Sequence, residues 1–225
     1  FVNNGDGTFT DLTHDPLTDA NAGRSAAFLD VDRDGDLDLY VVNADGANRL
    51  FVQEVAGFVD RAPQLGLADE GSGRGVAVAD VDEDGDADLF LANSTGGSHL
   101  LRNDGNRFTA VEAAAGLDLS GGEVGVAFGD YNGDGYVDLF VGVERGANRL
   151  FANQGDGTFV DAARRDTLDL GKGAVGAAFL DVDNDGDLDL MTTAVNAGAG
   201  GDQLFLGRAP FLLPIGDWLG LKQAS

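Results

Sequence analysis

Residues 30–38 read DVDRDGDLD. Alternate positions carry carboxylates, the sixth is glycine and the ninth is again aspartate. That spacing suits a chain curling around one hard cation, because Ca²⁺ takes six to eight oxygen ligands at about 2.3–2.6 Å. Carboxylates at positions 1, 3 and 5 converge as the chain turns. Gly35 permits the sharp bend, position 7 offers its backbone carbonyl, and position 9 closes the shell. Five carboxylates in nine residues repel one another strongly without a counter-ion.

The pattern returns as DVDEDGDAD at 80–88, DYNGDGYVD at 130–138 and DVDNDGDLD at 181–189, so successive loops begin 50, 50 and 51 residues apart. The expected metal-site residues are Asp30, Asp32, Asp34, Asp36 and Asp38 in the first loop, and Asp80, Asp82, Asp84, Asp86 and Asp88 in the second. The third offers Asp130, Asn132, Asp134, Tyr136 and Asp138, and the fourth Asp181, Asp183, Asp185, Asp187 and Asp189. Asp36, Asp86, Tyr136 and Asp187 enter through the main-chain carbonyl. The spacing therefore predicts about four Ca²⁺, one per repeat. Asn132 keeps an oxygen but removes a charge, so the third site is expected to bind more weakly. An EF-hand also begins D-x-D-x-D-G, but it needs Glu at position 12 and helices on both sides. Position 12 here is Val41, Leu91, Val141 or Thr192, which excludes it.

The flanks repeat with the loops. Small apolar runs precede them (SAAFLD, GVAVAD, GVAFGD, GAAFLD), and apolar runs follow (LYVVN, LFLAN, LFVGV, LMTTA). Next come NRLF at 48–51, SHLL at 98–101, NRLF at 148–151 and DQLF at 202–205, then strands opened by Phe58, Phe108 and Phe159. The start of the chain, FVNNGDGTFTD, matches LFANQGDGTFVD at 150–161, so residues 1–20 read as the trailing strands of a preceding blade. The repeats then run 21–70, 71–120, 121–170 and 171–215. Each predicts four short strands, which at this period is the signature of a β-propeller blade. The expectation is all-β: a β-propeller, or propeller segment, of four-stranded blades with D-x-D-x-D-G calcium loops. Ala26, Ala27, Ala77, Ala127 and Ala177 suit the crowded innermost strand. Helix is expected at most as a turn or two over 110–115. The last repeat has GRAPFLLPIG in place of the GDGTF turn, so its outer strand is expected to be irregular or supplied by the N-terminal segment. Because the chain opens on Phe1 in mid-pattern, it reads as a processed or excised fragment.

A formal charge of −25, from 39 acids against 14 bases, excludes nucleic acid as a natural partner and disfavours anionic membrane surfaces. No apolar run approaches the 18 residues of a membrane span, so no membrane insertion is expected. With no cysteine there is neither a disulfide nor a thiolate site. His14 and His99 occupy different repeat positions and read as surface or turn residues. GSGRG at 71–75 reads as an inter-blade connection rather than a phosphate loop. Nearly half the acids lie in the loops, where a metal occupies them, and no nucleophile–base grouping is visible. The chain is therefore expected not to be an enzyme.

GVAFGDYNGDGYVDLFV followed by NRLFANQGDGTFVDAA resembles the FG-GAP/VCBS repeat of integrin-α-type propellers, and most of all the propeller repeats of ASPIC/UnbV (cartilage acidic protein-like) proteins. The resemblance runs from residue 1 to about 206. Within 216–225, Asp217-Trp218-Leu219-Gly220-Leu221-Lys222 resembles the opening of the ASPIC/UnbV segment that follows such propellers. The resemblance implies an extracellular or cell-surface, calcium-loaded adhesion or recognition module that binds a protein or glycan ligand on the propeller face. Two alternatives stay open: a carbohydrate-active enzyme of the polysaccharide lyase-like propeller kind, and a structural subunit of a surface array or filament. Extracellular calcium modules bind at about 10⁻⁴–10⁻³ M, so such sites fill outside the cell.

Overall fold

The computed structural model describes residues 2–11, 17–105, 107–119, 121–162, 170, 173–194 and 201–214. His14 and the 217–222 stretch lie outside them. Strand follows strand with short turns. A two-stranded hairpin, β1 (Val2–Asn3) and β2 (Phe9–Thr10), comes first. Four antiparallel sheets of four strands follow. Blade 1 is β3 (Gly23–Leu29), β4 (Asp38–Asn43), β5 (Arg49–Glu54) and β6 (Gly57–Asp60). After α1 (Ala62–Leu65), blade 2 is β7 (Gly73–Ala79), β8 (Asp88–Asn93), β9 (His99–Asn103) and β10 (Phe108–Ala110). Blade 3 is β11 (Glu123–Gly129), β12 (Asp138–Val143), β13 (Arg149–Asn153) and β14 (Phe159–Asp161). Blade 4 is β15 (Ala174–Leu180), β16 (Asp189–Ala194), β17 (Gln203–Arg208) and β18 (Phe211–Pro214). In every blade, sequence order is sheet order.

The first strands stand side by side, β3 against β7, β7 against β11 and β11 against β15, so the blades follow one another as in a propeller segment. This is why they are rich in Gly and Ala. A Cβ on Gly75 would lie 2.7 Å from the Val124 carbonyl oxygen, and one on Gly125 would lie 3.0 Å from the Val175 backbone. Each first strand also shifts register near its start, as between Gly23 and Ser25 or Gly73 and Gly75. Such a bulge bends and twists the strand.

Among the described residues the core is three apolar layers, one at each blade junction. Tyr40, Val42 and Leu50 of blade 1 meet Leu89, Leu91 and Leu101 of blade 2. Phe90 and Leu100 meet Leu139, Val141 and Phe151. Phe140 and Leu150 meet Leu190 and Phe205. The second strands therefore carry large apolar residues on both faces, and β8 and β12 are buried throughout. Each such side chain contributes about 1.5–3 kcal/mol on burial.

Three expectations are corrected. Helix α1 stands at 62–65, where none was expected, while at 110–115 Ala110 ends β10 and a single turn follows in which the Ala115 amide reaches the Val111 carbonyl at 2.7 Å. Pro63 sits in the first turn of α1, where its fixed φ suits a helix start, and Ala113 stands at the matching place in the second repeat. The fourth blade makes its own outer strand: β18 pairs with β17, and among the described residues β1 pairs only with β2. Within GSGRG only Gly71 and Ser72 connect blades, since β7 begins at Gly73.

Candidate metal centre

Each Asp-rich loop joins the first strand of its blade to the second. Two of its residues take the left-handed backbone region. Position 6 is always glycine, with φ of 92° at Gly35, 87° at Gly85, 95° at Gly135 and 94° at Gly186. Position 4 has φ of 61° at Arg33, 58° at Glu83, 73° at Gly133 and 59° at Asn184. The second of these was missed from sequence, although Gly133 and Asn184 are the residue types that favour it. The curl is also knit by the acids themselves. The position-1 carboxylate accepts the position-6 amide, as in Asp30 from Gly35 at 3.1 Å and Asp130 from Gly135 at 2.9 Å. The position-5 carboxylate accepts the position-7 amide, as in Asp84 from Asp86 at 2.8 Å and Asp134 from Tyr136 at 2.9 Å.

Among the described residues three groups of carboxylates result: Asp30, Asp32 and Asp38; Asp80, Asp82 and Asp88; Asp181, Asp183 and Asp189. In each, one oxygen per residue lies within 4.8 Å of the others. The gathered oxygens come from positions 1, 3 and 9. Position 5 (Asp34, Asp84, Asp134, Asp185) bonds locally as described, and the Asp86 side chain at position 7 pairs with Arg33 of the preceding loop. In the third loop Asn132 holds position 3, and its Oδ1 accepts the Asp134 amide at 2.8 Å.

Position 9 has a second duty that the spacing did not reveal. Asp38, Asp88, Asp138 and Asp189 are buried, at 1%, 0%, 0% and 0% exposure. One oxygen of each accepts the position-2 amide of its own loop: Val31 and Val81 at 2.9 Å, Tyr131 at 3.1 Å and Val182 at 2.7 Å. The other accepts an amide of the third strand: Gln53 and Asn103 at 2.8 Å, Asn153 at 2.9 Å and Gly207 at 2.7 Å. This carboxylate locks the loop to the middle of its blade.

The donor set fits a hard cation. Asp30 Oδ1 and Asp82 Oδ1 are buried oxygens with no hydrogen-bond partner, a costly state for an acceptor unless a cation faces it. Burial raises the carboxyl pKa of Asp38, of Asp88 to about 6 and of Asp138 to about 7, and backbone hydrogen bonds only partly offset it. Burial also raises Asp32 and Asp82, and the neighbouring aspartate charges add to it. A divalent ion reverses this balance by favouring the ionised form.

Neighbouring loops touch. Arg33 donates to the Asp84 carbonyl at 3.0 Å and pairs with Asp86. Asn153 Nδ2 donates to the Val81 carbonyl at 2.8 Å, and Asn103 Nδ2 to the Val31 carbonyl at 3.4 Å, in each case reaching the loop of the blade before. In the fourth loop Arg208 contacts Asp183 and Asp185. None of these partners was read from sequence, since they lie on other strands or other blades.

Residues 1–41, 30–91, 80–141 and 130–192 each match the FG-GAP-like repeat. The chain belongs to the FG-GAP-like repeat family. Each full FG-GAP-like match begins in one acidic loop and ends in the strand after the next, so the family's repeat takes in two loops and is out of phase with the sheets. Among solved structures, that of the V. cholerae biofilm matrix protein Bap1 is similar at a TM-score of 0.43 and 13% identity, over 82% of this chain. The FG-GAP-like chain spans 37% of the Bap1 chain. No curated protein sequence matches it.

Away from the loops, His99 is not a turn residue. It lies in β9, half-buried, with Nε2 3.6 Å from Asp69 and Nδ1 3.3 Å from Glu112. Arg49 and Arg149 hold the same place in blades 1 and 3 and pair with Asp60 and Asp161. In blade 2 the acid's place on the fourth strand is Ala110, and a pocket of about 680 Å³ opens beside His99, Asp69 and Arg107.

Proposed function

We propose that this FG-GAP-like chain is a calcium-loaded propeller segment that serves adhesion or recognition outside the cell, binding a protein or glycan on its propeller face. Each of the four loops takes one Ca²⁺, with Asn132 replacing a carboxylate in the third. The ion is structural: it completes the curl of the loop and neutralises the carboxylate that ties the loop to the third strand. The observation that carries this reading is the gathering of three carboxylate oxygens within 4.8 Å, repeated at the same place in three blades, with orphaned oxygens at Asp30 and Asp82. Millimolar calcium outside the cell fills sites of the affinity expected for such modules. The test is a calcium titration by calorimetry, paired with binding to immobilised extracellular-matrix glycans and proteins in calcium and in chelator. Saturable uptake approaching four ions, with ligand capture lost in chelator, supports the reading. No calcium uptake overturns it.

A second reading, a carbohydrate-active enzyme, rests on the pocket beside His99 with its two flanking carboxylates. Release of unsaturated or reducing sugar ends from an acidic polysaccharide, abolished by His99→Ala, would favour it.

A further inference from the structure

The acidic loops stand at one end of each blade. At the other end, between blades 2 and 3, a cleft of about 590 Å³ opens among Arg74, Ser94, Gly121, Gly122, Glu144 and Arg145. Val143 is the one apolar side chain in its lining. Most of the described arginines pair with a carboxylate, as Arg33, Arg49, Arg102 and Arg149 do. Among the described residues Arg74 and Arg145, both exposed, pair with none, although the chain carries a net charge of −25. Arg74 Nε donates to Ser94 Oγ at 3.1 Å, and that hydroxyl donates on to the Ser72 carbonyl at 3.3 Å. The guanidinium is thereby held, and its terminal nitrogens remain for another acceptor. The same place between blades 1 and 2 is built differently. Ser72 stands where Gly122 stands, and its hydroxyl bridges the junction to the Ala44 carbonyl at 3.3 Å. Asp45 stands where Thr95 stands and accepts the Ala22 amide at 2.6 Å, and Thr95 stands where Arg145 stands. Blades 2 and 3 thus lack that bridge and that acid, and carry a second base. Gly121 and Gly122 both take the left-handed backbone, with φ of 89° and 85°, so a side chain at 122 would be strained.

We infer that this cleft binds an acidic sugar unit, one carboxylate or sulfate group with hydroxyls around it. The inference rests on the glycan form of the function proposed above. A guanidinium fork matches the oxygens of a carboxylate or sulfate, and two such forks line one cleft here. A lining of hydroxyls, backbone and one carboxylate suits sugar hydroxyls better than it suits apolar peptide side chains. Glu144 accepts hydroxyls but repels a second carboxylate close by, which favours a sugar with spaced charges over an acidic peptide. The acidic loops do not forbid an anion at this end. The seven-residue first strands hold them about 20 Å away. Exposed charges separated by more than a Debye length of about 8 Å are largely screened at physiological salt.

Calorimetric titration of the full chain in calcium with tetragalacturonate, and separately with a sulfated tetrasaccharide, tests this. At least one is expected to bind, and the one that binds names the anionic group. Its carboxyl-reduced or desulfated counterpart is expected not to bind. Arg74→Ala and Arg145→Ala, both at exposed positions, each weaken binding about tenfold through loss of a charge-assisted hydrogen bond. Arg24→Ala, at the matching place in blade 1 and outside the cleft, leaves it unchanged. A wild-type chain that binds neither sugar overturns the inference. So does binding that survives both cleft substitutions, as it would if bound calcium alone bridged the sugar. Equal binding of the neutral counterpart, or of hexaglutamate, overturns it as well. Calcium uptake is read on the same samples: full uptake without sugar binding defeats this inference alone, whereas absent uptake defeats the proposed function.

Discussion

Asp138 Oδ1 accepts the backbone amide of Asn153 at 2.9 Å, and the Asn153 side chain reaches on to the Val81 carbonyl of the neighbouring blade at 2.8 Å. One carboxylate thus links an acidic loop, the third strand of its blade and, through Asn153, the loop of the blade before. Asp38, Asp88 and Asp189 repeat the first two links.

Replacing Asp138 with Asn keeps the shape but puts an NH₂ group against one of two backbone donors. Leaving a buried donor unsatisfied costs about 1–3 kcal/mol, and the lost ion adds to it. Asp138→Asn is expected to destabilise by more than about 2 kcal/mol in calcium, read from urea unfolding. Asp36→Asn, whose side chain is not an expected ligand, is expected to stay within about 1 kcal/mol. Equal effects would contradict the division of labour between positions 9 and 7.

Chelator is expected to lower the melting temperature. A site filled at a hundredfold excess over its Kd adds about 2.7 kcal/mol. Asn132→Asp adds a position-3 carboxylate to the third loop and is expected to tighten calcium binding there while lowering stability in chelator, where the added charge is uncompensated. A melting curve indifferent to chelator would remove the structural role of the ion.

The pH dependence has opposite signs with and without metal. Asp88 and Asp138 have folded-state pKa values raised to about 6 and about 7, above the ordinary 3.8. A raised carboxyl pKa favours the protonated folded form. The metal-free protein therefore gains stability as pH falls from about 7 towards about 4, and loses it as pH rises through the same window. Calcium requires the ionised form, so the stabilisation it confers shrinks over that fall. Melting temperatures in chelator and in calcium across this range check both signs.

Asn153→Ala removes a buried inter-blade hydrogen bond and leaves the Val81 carbonyl without its amide donor, at a cost of about 1–3 kcal/mol. Asn103→Ala breaks a longer contact of 3.4 Å and is expected to cost less. Thermal unfolding of the two variants ranks them; the reverse order would show that these contacts do not join the blades.

The loops, the four-strand repeat and the small residues of the first strands were legible because each is written locally. A turn needs its glycine, an ion its alternate carboxylates and a crowded strand its missing side chains. Position 4 was legible in principle from Gly133 and Asn184, but Arg33 and Glu83 take the same backbone and carry no such sign. The outer strand of blade 4 was misjudged because its turn, at Ala209–Pro210, departs from the GDGTF form while its strand still pairs.

The sequence by itself determined the period, the strands and the acidic curls, since these depend on residues within a few positions of one another. Tertiary structure alone decided that the ninth-position carboxylate ties its loop to the third strand, and that Arg33 and Asn153 reach loops 51 and 72 residues away. Those partners meet only because blades stack side by side, and a distance of that kind is fixed by packing rather than by the local chain.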